Sequence, residues 1–237
     1  MNTKSSYDVV VFAAHPDDAE MGMAGTMIKL VRAGYRVLNI PLTPSQMSTF
    51  GDEKSRAEEF KAACAVVGCH GRTLNFLDTG IENTREARIE LARIIRETKP
   101  KVVFAPYHTN PLGELGGVAH VDHYTTGALV RDAVKMARIE KVIPDLAKHT
   151  IQKLYFYLLP SNVRATAWVD VSDVIDDLLR SIRAYKSQMQ ISFGTNQIED
   201  ITLRKRSFAG LAIGTKYAEV FTTDLPLRYE PKHFFEI

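Results

Sequence analysis

The chain alternates short, continuously apolar runs with longer amphipathic segments. Tyr7–Ala14 (YDVVVFAA) is apolar and rich in β-branched residues, and it stops abruptly at a polar HPDD. Ala19–Ala33 follows with apolar residues at helical spacing (Met23, Met27, Leu30, Val31), and Gly34 suits a left-handed helix end. Val37–Leu42 predicts a second strand, weakened at Pro41 because proline donates no ladder hydrogen bond. Asp52–Val67 predicts a charged amphipathic helix ending at Gly68, and Arg72–Leu77 a short third strand. Thr84–Thr98 predicts a helix closed by Pro100. Thr84 suits its N-cap, but Ala87 stands where a capping box needs Glu or Gln. Lys101–Tyr107, His120–Arg138 and Leu154–Pro160 predict strand, helix and strand. Continuously apolar strands separated by helix-length segments predict an α/β fold: a Rossmann-like, mostly parallel sheet with helices on both faces.

The last third is less regular. Val169–Val171 and Ala218–Thr223 read as short strands, and Asp173–Gln188 and Arg204–Gly210 as helices. There is no internal repeat, low-complexity tract or long linker. The expected organisation is one domain over 1–237, with a Rossmann-like core over 1–160 and a C-terminal extension over 161–237 packed on it.

Composition narrows the classes without naming a chemistry. Over 237 residues, 30 Lys+Arg stand against 28 Asp+Glu, which gives no bulk attraction to nucleic acid or an anionic membrane surface. Hydrophobic residues make up 45%, which excludes a disordered chain. Two Cys cannot staple this length, and Cys64 and Cys69, expected to point different ways, read as small core residues. The apolar run Val9–Ala14 is too short to span a bilayer, and no basic region leads into an apolar segment at the start. The expectation is a cytoplasmic protein that binds neither membrane nor nucleic acid.

The chemistry concentrates in two clusters. His15-Pro16-Asp17-Asp18-Ala19-Glu20 directly follows the first strand, and ligands of open α/β sheets bind outside the carboxyl ends of strands. Either Asp17 or Asp18 also reads as an ordinary N-cap of the next helix. After the fourth strand comes a polar, glycine-rich loop over 108–119, and then His120-Val121-Asp122-His123 at a helix start. His120 and His123 are three residues apart and can face the same way. With His15 and Asp18 they form a nitrogen and oxygen donor set suited to zinc or a similar divalent ion, with a position left open for water. Asp17 is then placed to accept a proton from water. Whichever of His120 and His123 does not ligate is free to stabilise an oxyanion or protonate a leaving amine, with Asp122 placed to orient it.

A strand ending in AHPDDAE with a later HxDH resembles the LmbE-like (PIG-L) family of metal-dependent N-acetylsugar deacetylases. DTGIENT (Asp78–Thr84), IIRETKPKVVFAPY (Ile94–Tyr107), LYFYL (Leu154–Leu158), the segment Trp168–Met189 and KYAEVF (Lys216–Phe221) are similar to its bacillithiol-biosynthesis branch, the N-acetylglucosaminyl-malate deacetylases. The resemblance implies His15, Asp18 and His123 as zinc ligands, Asp17 as general base, and His120 as the group that stabilises the tetrahedral intermediate, with Asp122 behind it. It implies that Arg56 reaches the substrate, although among Glu58, Glu59 and Lys61 the same residue reads as a solvated helix arginine. It further implies zinc, or iron, as cofactor, a small sugar substrate and a homo-oligomer, with a hexamer implied by the small family members. Val121 replaces the proline usual in the second motif, with little expected chemical consequence. The 108–119 loop looks enlarged, which leaves substrate identity more open than reaction type. A hydratase acting on an unsaturated carboxylic acid on the same fold is the alternative implied.

Overall fold

The computed structural model describes residues 6–113 and 120–225. Its centre is a five-stranded sheet of β1 (Val9–Ala13), β2 (Val37–Pro41), β3 (His70–Gly71), β4 (Val102–Pro106) and β5 (Lys153–Tyr157). The spatial order is β3-β2-β1-β4-β5 and every pairing is parallel. This is the expected doubly wound α/β arrangement, and its topological switch point lies between β1 and β4.

Both faces of the sheet are buried, which is why the strands read as unbroken apolar runs. Val10 and Phe12 of β1 point into one core layer with Leu91, Ile95, Leu129 and Val130 of α3 (Arg85–Thr98) and α4 (Val121–Met136). Val9, Val11 and Ala13 point into the other, against Met23 and Met27 of α1 (Asp18–Arg32) and Leu178 and Ile182 of α5 (Ile175–Arg183). Helix α2 (Glu53–Val67) packs beside α1 and α5. Thr84 caps α3, its hydroxyl accepting from the Ala87 N–H at 3.2 Å.

Three predicted elements differ. The third strand is paired only at His70–Gly71, not over Arg72–Leu77. Arg72, Leu74 and Phe76 still donate to Asn39, Pro41 and Leu42. Pro41 has no N–H to return, so the ladder continues on one side only. The predicted helix Asp173–Gln188 is broken after Arg183. There Tyr185 joins Phe60, Ala63 and Cys64 in a small cluster, and Ser187 donates twice to Glu59, each at 2.7 Å. The last helix, α6 (Ile198–Leu211), begins six residues before the predicted Arg204. A two-residue hairpin of β7 (Ser192–Phe193) and β8 (Asn196–Gln197) leads into it. Cys64 and Cys69 are both free thiols in hydrogen-bond contact, so they face each other rather than apart.

The C-terminal segment ties to the core at two places. β6 (Ala167–Asp170) pairs antiparallel with β9 (Ala218–Phe221), and Thr222 exchanges two backbone hydrogen bonds with Phe156 of β5. The second tie repairs a kink in α1. Met23 has non-helical dihedrals (φ −153°, ψ 25°). In a regular helix the Gly25 N–H would bond the Met21 carbonyl. Here Gly25 and Thr26 donate to the Glu219 carboxylate at 3.0 and 2.7 Å, and Arg206 Nη2 donates to the Met21 carbonyl at 3.1 Å. Arg206 and Glu219 neutralise each other at 2.7 Å, both buried. The kink re-aims the first turns of α1, which carry the polar cluster.

Candidate active site

Three segments meet beyond the carboxyl ends of the strands. They are His15–Asp18 after β1, Asp78–Thr79 after the third strand, and His120–His123 at the start of α4. Asp18 closes the first turn from inside, Oδ2 accepting from the backbone N–H groups of Ala14 and His15 at 3.0 and 2.8 Å. Asp17 stands at the head of α1 with φ 118°, a conformation a non-glycine residue holds only when its surroundings enforce it. Ser45, Thr79 and Leu158 also have positive φ (61°, 64° and 52°), and each lies past a strand end on this side of the sheet. Neither aspartate acts as a simple side-chain N-cap of α1.

Asp18 bridges two imidazoles. Its Oδ1 lies 3.0 Å from His123 Nε2 and its Oδ2 3.6 Å from His15 Nδ1. The His15 ring stands edge-on to His120 and His123, with centroids 5.1 and 5.5 Å away. Its other nitrogen, Nε2, faces Asp78 Oδ1 at 3.0 Å and Asp122 Oδ2 at 3.3 Å. Carboxylates only accept, so Nε2 donates, and in the neutral ring the lone pair falls on Nδ1, beside Asp18. Asp122 is fully buried and is itself held by the Thr79 N–H at 2.7 Å. His120 caps α4, Nδ1 accepting from the Asp122 N–H at 3.2 Å, which leaves Nε2 as its donor in the neutral ring.

Arg56 organises Asp17. Its guanidinium is 1% exposed, pairs with Asp17 Oδ2 at 3.1 Å, donates to the Pro16 carbonyl, and lies 3.5 Å from Glu59 and over the Tyr185 ring. The solvated-arginine reading is therefore wrong. The contacts of Arg56 are to the Asp17 turn, so any influence on substrate passes through Asp17. Asp122 also departs from expectation: its carboxylate meets His15, and only its backbone reaches His120. Sequence reasoning assigned no role to Asp78, although a polar DTG directly after a strand on the site side was the available signal. His108 is engaged by Arg131 at 3.2 Å and Asp224 at 2.7 Å and joins no metal-capable cluster among the described residues. The 108–119 loop falls outside the described residues from 114 onward.

The electrostatics favour a cation at the centre. Burial opposes charge on His15, yet its hydrogen bonds to the carboxylates of Asp122, Asp18 and Asp78 push it up to about 12. Burial pushes Asp17 up to about 6 against the opposing charge of Arg56, and Glu20 up to about 7. Burial and the neighbouring rings of His123 and His15 hold His120 below the usual imidazole value. Carboxylates that force a proton onto His15 would equally stabilise a divalent ion. Ligand atoms of His15, His120 and His123 lie within 4.8 Å of one another, as do those of His15, Asp78 and Asp122. Tetrahedral zinc sets neighbouring donor atoms about 3.4 Å apart, and the 3.0 and 3.6 Å contacts of Asp18 match that spacing. The donor set of oxygen and imidazole nitrogen, without thiolate, fits such an ion.

The fold and this cluster define a doubly wound α/β protein with a metal-capable His/Asp centre at its switch point. The chain belongs to the PIG-L family: the family model, described as GlcNAc-PI de-N-acetylase, matches residues 10–134. Diacetylchitobiose deacetylase of Thermococcus kodakarensis is 33% identical over 193 residues, spanning 76% of this chain and 69% of that protein. The solved N,N'-diacetylchitobiose deacetylase of Pyrococcus horikoshii is 26% identical, with TM-score 0.79 over 99% of this chain and 87% of that one. The solved 4-carboxy-2-hydroxymuconate hydratase of Pseudomonas putida KT2440 shares the fold, with TM-score 0.77 at 18% identity over 94% of this chain and 98% of that one.

Proposed function

We propose that this protein is a metal-dependent, hydrolytic N-deacetylase of an N-acetylglucosamine-type sugar conjugate, with zinc as its ion. The observation that carries the reading is Asp17, held by Arg56 in a strained backbone conformation beside the Asp18–His123–His15 cluster. His15, Asp18 and His123 are the residues that would hold the ion, with Asp78 and Asp122 fixing the His15 ring from behind. A bound divalent ion supplies Lewis acidity toward water and toward the acetamide carbonyl.

The remaining work falls to side chains. Asp17 accepts the proton of the attacking water and passes it to the departing sugar amine, so that the amide C–N bond is exchanged for acetate and a free amine. Arg56 keeps the Asp17 carboxylate in place. His120 donates from Nε2 to the oxygen that gains negative charge as the carbonyl becomes tetrahedral. Family membership and the deacetylase relatives support this reading over a hydratase, whose similarity is one of fold. A cytoplasmic location remains part of the proposal.

The test is acetate release from N-acetylglucosaminides by purified protein of measured metal content, with Asp17→Asn as control. Acetate with stoichiometric free amine, lost in the variant, is expected. A hydroxy acid formed from an unsaturated acid without acetate would replace this reading by the hydratase. Absence of both bound divalent ion and acetate release would overturn it.

A further inference from the structure

Asp17, Asp18 and His123 line one part of a cavity of about 950 Å³. The rest of its wall is not built like a sugar site. α1 contributes Met21, the segment after β5 contributes Leu158 and Val163, β6 contributes Trp168, and α6 contributes Ile201 and Phe208. Phe208 is 78% exposed and Leu211, beside it on α6, 75%. Two cations reach the cavity. Arg206 is neutralised by Glu219, and Lys205 makes no ion pair among the described residues while its stem adds methylenes to the apolar wall. A plain sugar offers only the small C–H faces of its ring between rim hydroxyls and would cover little of such a wall. The wall is mostly apolar, with Asp17, Asp18 and His123 at the reacting end and Thr202, Lys205, Arg206 and Glu219 interspersed along α6 and β9, and such a lining accommodates a ligand with an apolar part.

We infer that the substrate carries an apolar hydrocarbon or aromatic group, which lies along the α6 wall while the acetamide or acyl amide sits at Asp17, Asp18 and His123. This rests on the hydrolase reading above and adds the substrate class. The groove is continuous with the reacting centre, which is what selects substrate as its occupant over a second copy of the chain. The apolar group has two possible positions, the aglycone or the N-acyl chain.

The experiment compares kcat/KM for methyl and octyl β-N-acetylglucosaminides, the malate glycoside, and N-acetyl- against N-octanoyl-glucosamine. A fully buried methylene is worth roughly fourfold, and an open groove realises part of that, so a gain on the order of 30-fold is expected from methyl to octyl in one of the two series. The series that responds locates the group. In Ile201→Asp, and in Phe208→Asp, whose exposed site keeps folding out of the question, the octyl-to-methyl ratio should fall toward one. Equal rates for short and long chains, or a malate glycoside preferred over octyl, would overturn the inference while leaving the hydrolase standing. No cleavage of any substrate would remove the hydrolase reading and this one with it. An oligomer that Phe208→Asp dissociates, with the chain-length ratio unchanged, would assign the groove to a subunit interface and refute the proposal.

Discussion

The repaired kink in α1 yields a quantitative prediction. Glu219→Ala removes three hydrogen bonds to one carboxylate: Gly25 N–H at 3.0 Å, Thr26 N–H at 2.7 Å and the Thr26 hydroxyl at 2.7 Å. Bonds to a charged acceptor are worth about 1.5–3 kcal/mol each, though losses within one buried network do not add. The change also strands Arg206, 4% exposed, as a buried cation, and breaking such a pair costs about 3–5 kcal/mol. The expected loss is about 4 kcal/mol, or a Tm lower by roughly 8–16 °C for a chain of this size. Arg206→Met should be comparably harmful, because it leaves Glu219 uncompensated. Adding Glu219→Gln to Arg206→Met should recover part of the loss, with a coupling of about 2 kcal/mol, since no lone charge is then buried. Urea unfolding followed by circular dichroism, at unchanged m-value, measures the wild type, the single variants Glu219→Ala, Glu219→Gln and Arg206→Met, and the Arg206→Met/Glu219→Gln double, whose cycle closes on its own two singles. A Glu219→Ala loss below about 1 kcal/mol, or single-variant losses that simply sum to the double, would refute the account of the kink.

Other outcomes follow from single residues. Gly127→Ala should destabilise by about 1–3 kcal/mol although alanine is the better helix former, because its Cβ would lie 2.2 Å from the Pro106 carbonyl oxygen; thermal unfolding decides the sign. Asp17→Asn should lower kcat by about 10²–10⁴ without changing metal content measured by elemental analysis. His123→Ala should lose both bound metal and activity, and chelation of the native protein followed by zinc should abolish and then restore acetate release. Burial, aided by the charge of Arg131 and opposed by Asp224, holds His108 below the ordinary histidine value. Its contribution to stability is thus complete above about pH 6.5 and is lost as pH falls from there through the folded value. His108→Gln should flatten that slope in urea titrations taken across this range.

Much of the fold was legible because the parallel sheet is buried on both faces: each strand announces itself as an unbroken apolar run, and each helix by its spacing and its caps. Where prediction slipped, a distant partner decided. Glu59 draws in the Ser187 N–H and ends α5 early, and Pro41 makes the third strand one-sided. The site was legible in part. His15, Asp17, Asp18, His120 and His123 could be read because each cluster is local and sits just past a strand.

The sequence by itself determined the element types, the parallel topology and the donor inventory of the centre, because these depend on side-chain period and residue chemistry over short stretches. Only the tertiary structure decided that Arg56 is buried on Asp17, that Asp78 and Asp122 converge on His15, and that Glu219 and Arg206 complete a broken turn of α1. These partners lie 39, 63, 107, 194 and 185 residues apart along the chain. No local pattern encodes such meetings. They exist because the sheet order brings strand ends together, and a buried charge in that low-dielectric setting is stable only where an opposite charge or a donor has been brought to meet it.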